Sequence, residues 1–260
     1  MDLDLKPLES YIYRELKIDL SAYKSNQMNR RLNNLIARNG ASTTKEYIEM
    51  LEKKPEMKKK LADFITINVS EFFRNKELFV DLENKLKEIL ISNDNKKLKI
   101  WSAACSNGAE PYSVAIILDK LSPKVRHEIL ATDIDSTILE TAKQGIYNPA
   151  DVKNVDKDIL KRHFSIYDDG KYILNEDIRN RVRFKKHDLI LDDYEKSFDL
   201  ILCRNVVIYF TQEAKDKIYS KFSESLLPGG LLFVGATESI YDYKKYDFGK
   251  ASTFIYQKNK

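Results

Sequence analysis

The sequence predicts an α/β protein with a doubly wound, mostly parallel Rossmann-like sheet, a small N-terminal all-helical domain and a small antiparallel β excursion. Apolar residues recur at helical spacing over residues 1–66, where no stretch alternates like a strand. From about residue 96, short apolar strands alternate with helices, which is the pattern of a parallel sheet covered on both faces. Asp169-Gly170 separates two short β-prone runs and indicates a hairpin.

Four helices are predicted in the first 66 residues. Leu8, Tyr11, Ile12 and Leu16 follow helical spacing. A second apolar stripe ends at Asn39-Gly40, a typical helix stop. Ser42 or Thr43 then caps a third helix, and Pro55 begins a fourth. We therefore expect a helical domain over residues 1–66, followed by a linker and a first helix over 67–95.

The larger domain is expected over residues 96–260, with its β excursion at about 160–185. Its strands are predicted from apolar runs bounded by turn residues. The predicted strands are 98–104, 128–132, 198–203, 231–236 and 253–257, and the predicted helices are 76–90, 111–121, 134–144 and 211–227. The runs at 164–168 and 171–174 flank the hairpin turn, and Val182–Phe184 can add a strand.

Composition excludes several classes of protein. Hydrophobic residues make up 43% and charged residues 32%, as expected of a folded chain with a real core. No run approaches the roughly 18 apolar residues of a membrane span, and the N-terminus does not resemble a secretory signal. The cysteines, Cys105 and Cys203, are too few for a disulfide scaffold or a four-thiolate zinc site. We therefore expect a cytoplasmic monomer without a metal site and without membrane insertion.

Positive charge is concentrated in the second predicted helix. The net charge of +4 is too balanced to indicate nucleic acid. No acidic residue lies between Asp19 and Glu46, however, and Lys24, Arg31 and Arg38 are heptad-spaced on one face, with Arg30 beside them. This stripe is either a solvated basic face or a binding surface for an acidic partner.

Three loops are expected at the carboxyl ends of the strands, where open α/β sheets bind ligands. The loop 103–111 contains one glycine, so it matches neither a dinucleotide fingerprint nor a P-loop. Asp133 ends a strand and can accept hydrogen bonds from ribose hydroxyls, or can cap the next helix, as can Asp135. His187–Leu189 and Cys203–Asn205 can frame an adenine. A nucleoside ligand without a pyrophosphate fits this pattern, and S-adenosylmethionine is such a ligand.

Structural interpretations of the same residues remain open at this point. Glu110 can be a first-turn acid favoured by the helix dipole, and the cysteines can be small apolar fillers. Arg74 can be a surface residue of an interdomain plug, and Tyr209 can be a core residue. No Ser-His-Asp set is legible in the sequence. Transfer of a methyl group to an ionised carboxylate needs no general base, so this does not exclude such a reaction.

Five segments, in order, resemble the CheR-type protein-glutamate O-methyltransferases of bacterial chemotaxis. They are TINVSEFFR (66–74), WSAACSNGAEPYSVA (101–115), ATDID (131–135), CRNVVIYF (203–210) and PGGLLFVGATES (228–239). The resemblance covers nearly the whole chain. It implies a methyltransferase sheet, S-adenosylmethionine as cofactor and glutamate side chains of chemoreceptor cytoplasmic helices as substrate. Two departures are Ser70, where the family usually has Thr, and Ala109, where it usually has Glu.

The resemblance also implies roles for individual residues. Arg74 and Tyr209 would flank the methyl transfer. With an acidic helical substrate, the domain over residues 1–66 becomes a substrate-recognition domain, and we expect the basic stripe with Arg30, Arg31 and Arg38 to contact the receptor. The residues implied at the cofactor are Asn68, Ser70 and Arg74 at the methionine and methyl end, Glu110 near the amino-acid part, Asp133 at the ribose, and Asp188, Leu189, Cys203 and Arg204 on the adenine side.

Two alternatives of other kinds stay open. One is a methyltransferase on the same scaffold that acts on another protein or on a small molecule, and the other is a non-catalytic S-adenosylmethionine-binding adaptor. The compact hairpin at Asp168–Gly170 leaves little room for an extra loop, so we also expect an enzyme that does not depend on a receptor tail peptide.

Overall fold

The computed structural model describes residues 3–66, 68–92, 94 and 96–259. The chain divides into two compact units. The first comprises residues 1–67 and 209–218, and the second comprises residues 68–208 and 219–260. In the described part of the chain, no helix is both long enough and apolar enough to cross a membrane.

The first unit contains the four helices that the sequence predicts. They are α1 (Lys6–Leu16), α2 (Ser25–Arg38), α3 (Thr44–Lys53) and α4 (Pro55–Thr66). Leu8, Ile12 and Leu32 are fully buried, so the apolar stripes of α1 and α2 form the core of this unit. After α2, Gly40 adopts a positive φ of 79°, as a helix stop requires. Thr43 caps α3 by accepting the N–H of Glu46.

The second unit alternates strands with helices. The helices are α5 (Lys76–Ser92), α6 (Ala109–Leu121), α7 (Ser136–Gln144), α8 (Lys157–His163), α9 (Glu176–Arg179) and α10 (Gln212–Ser225), the last of which begins among the residues of the first unit. The strands are β1 (Lys99–Ala103), β2 (Glu128–Asp133), β3 (Ile146–Tyr147), β4 (Phe164–Tyr167), β5 (Lys171–Leu174), β6 (Val182–Lys186), β7 (Phe198–Cys203), β8 (Leu226–Val234), β9 (Phe248–Lys250) and β10 (Ile255–Lys258).

The main sheet has seven strands in the order β6-β2-β1-β7-β8-β10-β9. The five strands from β6 to β8 in this order pair in parallel, and β10 pairs antiparallel with both β8 and β9. This confirms the predicted mostly parallel sheet. Because the five parallel strands point the same way, the loops that follow them lie along one edge. These loops are 104–108, 134–135, 187–197, 204–206 and 235–242.

Both faces of this sheet are covered, as parallel strands require. Trp101 in β1 is buried and packs against the rings of Tyr194, Phe198 and Phe222 at centroid distances of 4.9–5.5 Å. Its indole N–H donates to Thr132 Oγ1 at 2.9 Å, so the buried polar atom is satisfied. The core therefore fixes β1 and β2, the two strands that carry the central loops.

A separate antiparallel sheet, in the order β3-β5-β4, is the predicted β excursion. The hairpin turns at Asp169, with φ of 58°, and Gly170, with φ of 73°. The third strand is β3, which the sequence analysis did not predict. The strand predicted from Val182 does form, but it pairs in parallel with β2 at the edge of the main sheet. The predicted β excursion over 160–185 is therefore wrong in including this strand. Val182 pairs in parallel with Ile129 of β2, which lies 53 residues earlier in the chain.

Candidate functional site

The loop after β1 carries a strained backbone and small side chains. Ala104, Ser106 and Gly108 have positive φ values of 61°, 51° and 84°. At Gly108 a Cβ atom would lie 3.0 Å from Ala142 Cβ and 3.1 Å from the Tyr112 ring, so no larger residue fits without displacement. Left-handed non-glycine residues of this kind cluster at functional sites. The loop therefore presents backbone at the carboxyl edge of the sheet.

Asp133 fastens this loop to the end of β2. Its carboxylate accepts the backbone N–H of Ser106 at 2.8 Å and of Asp135 at 3.0 Å. Burial raises the pKa of Asp133 to about 6, although these N–H donors oppose the rise. Asp135, rather than Asp133, caps α7 by accepting the N–H of Thr137 at 2.8 Å. Asp135 is therefore the residue that caps the helix. The Asp133 carboxylate lies below the loop after β1 and holds it to the end of β2.

The segment that begins at Asn68 is joined to the same edge of the sheet. The Asn68 amide donates to Asp135 Oδ2 at 2.7 Å. The Ser70 carbonyl accepts a hydrogen bond from the Asn107 amide at 3.3 Å. Two residues that the resemblance assigns to the methyl end, Asn68 and Ser70, therefore lie beside the loops after β1 and β2.

Arg74 lies between two residues in left-handed conformations, Phe73 with φ of 50° and Asn75 with φ of 60°. The buried rings of Phe72 and Phe73 anchor the segment, and Arg74 itself is half-buried. Its Nη1 donates to the Val69 carbonyl at 3.2 Å. The two phenylalanines therefore belong to the core of the second unit, whereas the guanidinium is left accessible and is oriented by its own segment.

Arg204 and Glu110 form a buried pair, although the resemblance assigns them to different parts of the cofactor. Arg204 Nη1 lies 3.5 Å from Glu110 Oε2, and Ser102 Oγ donates to Glu110 Oε1 at 2.7 Å. Burial raises the pKa of Glu110 and lowers that of Arg204, while their mutual attraction opposes both shifts. The Arg204 guanidinium also lies over the rings of Phe79 and Phe233, at 5.0 and 4.8 Å. The pair therefore lies in the protein interior, behind the loops of the site, and stabilises them from there.

The residues implied on the adenine side occupy different environments. Asp188 Oδ1 accepts the N–H of Ile190 at 2.7 Å and so shapes the loop after β6. Leu189 is buried, and its carbonyl accepts the Tyr194 hydroxyl at 2.7 Å. Cys203 is fully buried at the end of β7, and burial raises the pKa of its thiol. Cys203 therefore serves as a small apolar residue, without thiolate chemistry.

Tyr209 and the basic stripe belong to the first unit. The Tyr209 carbonyl accepts the N–H of Lys24 at 2.8 Å, which places Tyr209 against the start of α2. A pocket of about 160 Å³ is formed by Tyr23, Lys24, Gln27, Met28, Arg30, Arg31 and Tyr209. No acidic side chain lines this pocket, so it is suited to an anion.

The three arginines of the predicted stripe differ in their surroundings. Arg30 is exposed. Arg31 is half-buried: its guanidinium donates to the Phe64 carbonyl and lies 4.7 Å from the centre of the Phe64 ring. Burial lowers the pKa of Arg31. Arg38 is exposed in the last turn of α2 and does not line the pocket. The stripe therefore separates into a pocket end and a distant end.

Two residues of the site, Ser106 and Glu238, were not singled out from the sequence. Glu238 lies inside a segment quoted for the resemblance, and an acidic residue shortly after a buried strand is the signal that could have identified it. Ser106 Oγ and His187 Nε2 are buried and have no hydrogen-bond partner in the described part of the chain. Such groups are unusual in folded proteins, and both can bond a polar group of a ligand.

Comparison with known proteins covers both units. The family described as "CheR methyltransferase, SAM binding domain" matches residues 68–255, and "CheR methyltransferase, all-alpha domain" matches residues 3–66. The chain is 39% identical to the chemotaxis protein methyltransferase of Listeria monocytogenes over 248 residues, which are 95% of this chain and 94% of that protein. The corresponding protein of Listeria innocua is 40% identical over 247 residues, again 95% and 94%. That of Borreliella burgdorferi is 33% identical over 270 residues, with 98% and 94% covered.

The residues present fit S-adenosylmethionine. The Ser106 hydroxyl and Nε2 of His187, which have no partner within the described residues, offer buried polar contacts, and Asp133 offers a carboxylate. The loop 104–108 lets a ligand approach its backbone, because its side chains are small. No group of three or more His, Cys, Asp or Glu residues suited to a metal ion occurs within the described ranges. The chain belongs to the CheR methyltransferase family and is an S-adenosylmethionine-dependent methyltransferase.

Proposed function

We propose that the chain esterifies glutamate side chains on the cytoplasmic helices of chemoreceptors, and so takes part in chemotactic adaptation in the cytoplasm. The observation that carries this proposal is the similarity, over 95% of the chain, to proteins named chemotaxis protein methyltransferase. That similarity includes the all-alpha domain, residues 3–66, and is not limited to the cofactor-binding sheet. A shared sheet alone would support only some methyltransferase activity.

The chemistry requires orientation more than proton transfer. S-adenosylmethionine supplies an electrophilic methyl group on a sulfonium. A glutamate carboxylate, with an ordinary pKa of about 4.3, is already ionised near pH 7 and needs no general base. Arg74 has five N–H donors, of which the described contacts use one for the Val69 carbonyl. In our proposal Arg74 and Tyr209 hold the acceptor carboxylate and the methyl end of the cofactor in line.

Cofactor binding is divided between residues that face the ligand and residues that support them. Asn68, Ser70, Ser106 and Asp133 surround the carboxyl edge of β1 and β2 and are proposed to contact the cofactor, as is the loop containing Asp188 and Leu189. The other assigned residues, Glu110, Cys203 and Arg204, are buried, and we propose that they shape the site from behind.

Substrate recognition is proposed for the pocket end of the basic stripe. Lys24, Arg30, Arg31 and Tyr209 line one pocket without an acid, which favours a macromolecular substrate rich in carboxylates over a neutral small molecule. Arginine can hold a carboxylate through two parallel hydrogen bonds. Arg38 would add long-range attraction for an acidic helical surface.

Incubation with S-adenosylmethionine labelled in its methyl group and a receptor cytoplasmic fragment tests this function. We expect base-labile label on glutamate, and no label with a fragment whose acceptor glutamates are changed to alanine. The Arg74→Ala chain is the matched enzyme control. Cofactor binding without transfer to any fragment would instead indicate the adaptor, and label on another protein or a small molecule would contradict the proposed substrate.

A further inference from the structure

Glu238 is a buried acid in the segment that follows β8. Its side chain is only 4% exposed, and its two oxygens accept four backbone N–H groups. Oε2 accepts from Asn205 at 2.5 Å and from Gly235 at 3.0 Å. Oε1 accepts from Val206 at 3.0 Å and from Ile208 at 3.3 Å. One carboxylate therefore satisfies most of the backbone donors of a short loop.

The neighbouring backbone is built to admit this carboxylate. A Cβ atom at position 235 would collide with Glu238 Oε2 and would lie 3.1 Å from the Asn205 nitrogen, so Gly235 leaves the space that the acid fills. Asn205 has a positive φ of 60°, a left-handed conformation that is uncommon outside glycine, and its N–H is held by Glu238 Oε2. Both features indicate that the loop is shaped around Glu238.

The position of Glu238 links two strands at the edge where the cofactor residues lie. Cys203 of β7 and Val234 of β8 are paired in register as the last pair of their parallel strands. Glu238 therefore fixes the loops that follow both strands at once. Burial raises its pKa, but its four N–H donors favour the charged form.

We propose that Glu238 is a positioning residue for methyl transfer: it holds the loop 204–208 in one conformation. The loop begins with Arg204, which donates to the Arg74 carbonyl, and it leads directly into Tyr209. The inference rests on the proposed role of Tyr209 in the transfer. Because a misplacement of about 1 Å at a reacting centre can cost about 100-fold in rate, a loosened loop should slow the chemical step.

The test compares Glu238→Gln with the unchanged chain. The amide has nearly the same shape, but its NH2 group faces backbone donors and cannot accept from them. At a temperature where both chains are folded, we expect the single-turnover rate at saturating cofactor to fall about 10–100-fold, no further than in Tyr209→Phe, and the cofactor dissociation constant to change by less than about threefold. Glu224→Gln, an exposed acid on α10, is the matched control and should change neither.

A double-mutant cycle shows whether Glu238 acts through Tyr209. In a Tyr209→Phe background, Glu238→Gln should lower the remaining rate by less than about threefold. The proposal would be overturned if the rate loss in the double variant equalled the product of the losses in the two single variants. An unchanged rate in Glu238→Gln alone would also overturn it. If Glu238→Gln does not fold, Glu238→Asp takes its place, because it keeps the charge on a shorter arm and should give a smaller loss of the same kind.

Hydrogen exchange separates this inference from the proposed function. Without any substrate, the amides of Asn205, Val206 and Ile208 should be protected in the unchanged chain and exchange at least about tenfold faster in Glu238→Gln. Equal protection in both chains would show that Glu238 does not hold the loop. A Tyr209→Phe chain with full activity would contradict the proposed role of Tyr209, and with it the coupling, while the exchange result would still stand by itself.

Discussion

The guanidinium of Arg204 donates a hydrogen bond from Nη2 to the main-chain carbonyl of Arg74, with 2.7 Å between the two atoms. The two residues are 130 positions apart in the sequence. The contact joins the loop after β7 to the segment between Phe73 and Asn75, whose left-handed conformations need support from elsewhere. Arg204 thus holds the backbone of a residue proposed to act in methyl transfer.

Replacing Arg204 is expected to lower the stability of the folded chain. Arg204→Met would leave the buried Glu110 carboxylate without its partner, so the free energy of unfolding should fall by about 3–5 kcal/mol. Adding Glu110→Gln should recover part of that loss, because a neutral amide is cheaper to bury. Urea unfolding measures both changes. The control is Lys196→Met, which breaks an exposed pair with Glu224 at 3.2 Å and should cost no more than about 1 kcal/mol. Additive losses at Arg204 and Glu110 would contradict the pairing.

Cofactor affinity should depend on the ionisation of Asp133. Because its pKa is about 6 in the folded chain, the carboxylate required by ribose hydroxyls is lost as the pH falls below that value. The dissociation constant for S-adenosylmethionine should therefore rise about tenfold per pH unit below pH 6. Asp133→Ala should weaken binding by about 10–100-fold at pH 7.5. Calorimetry over pH 5–8 measures this, and Asp133→Asn should abolish the pH dependence.

The same shift has a consequence for stability with a definite sign. Between the ordinary value of 3.8 and about 6, the folded chain holds the Asp133 proton more tightly than the unfolded chain does. The contribution of this carboxyl to the free energy of unfolding therefore falls as the pH rises through that window and is constant above it. Asp133→Asn should be less destabilising at pH 7.5 than at pH 4.5 as measured by thermal unfolding, after comparison with an Asp156→Asn control at an exposed site.

The methyl-transfer step itself should show no base. With cofactor and receptor fragment saturating, the logarithm of the single-turnover rate should not rise with unit slope between pH 6.5 and 8, because the acceptor carboxylate is already ionised. Arg74→Ala and Tyr209→Phe should each lower this rate about 10–100-fold and leave the melting temperature within a few degrees of the unchanged chain. A single ionisation near pH 7 that controls the rate would require a general base that the proposal lacks.

Substrate affinity should depend on the pocket end of the basic stripe. Arg30→Ala is expected to raise the receptor KM about tenfold and to flatten its salt dependence, without changing cofactor affinity. Arg31→Ala combined with Arg38→Ala should do the same, and Arg31→Ala should also lower the melting temperature because its guanidinium binds the Phe64 carbonyl. Lys45→Ala, an exposed lysine on α3, is the control. A wild-type KM at low and high salt in all three variants would reduce the stripe to a solvated face.

The compact hairpin between β4 and β5 predicts activity that does not depend on a receptor tail. Receptor fragments with and without their C-terminal tail should be methylated at equal rates when compared at the same concentration. β4 is nevertheless an edge strand of the small sheet, and Ile166 is 82% exposed on it. A large loss on truncation of the tail would contradict the expectation and would point to strand addition at that edge.

Local chemistry explains what could be predicted from the sequence. The helix stop at Asn39-Gly40, the hairpin at Asp169-Gly170 and the buried strand at 198–203 all appear as expected, because each depends on a few adjacent residues. The loop residues Asp133 and Asp188 were also expected at strand ends. The pairing partner of the strand that begins at Val182 was not predictable, because its residue pattern fits a strand of the hairpin sheet as well as a parallel edge strand.

By itself, the sequence determined the class of the fold, the order of its elements and the family, since periodicity, turn residues and motifs are properties of neighbouring positions. Only the tertiary structure decided which side chains contact one another. It paired Glu110 with Arg204, gave the helix cap to Asp135 and wrapped one loop around Glu238. The first of these contacts joins positions 94 residues apart and depends on burial, since a charge removed from water must find a partner wherever the fold provides one.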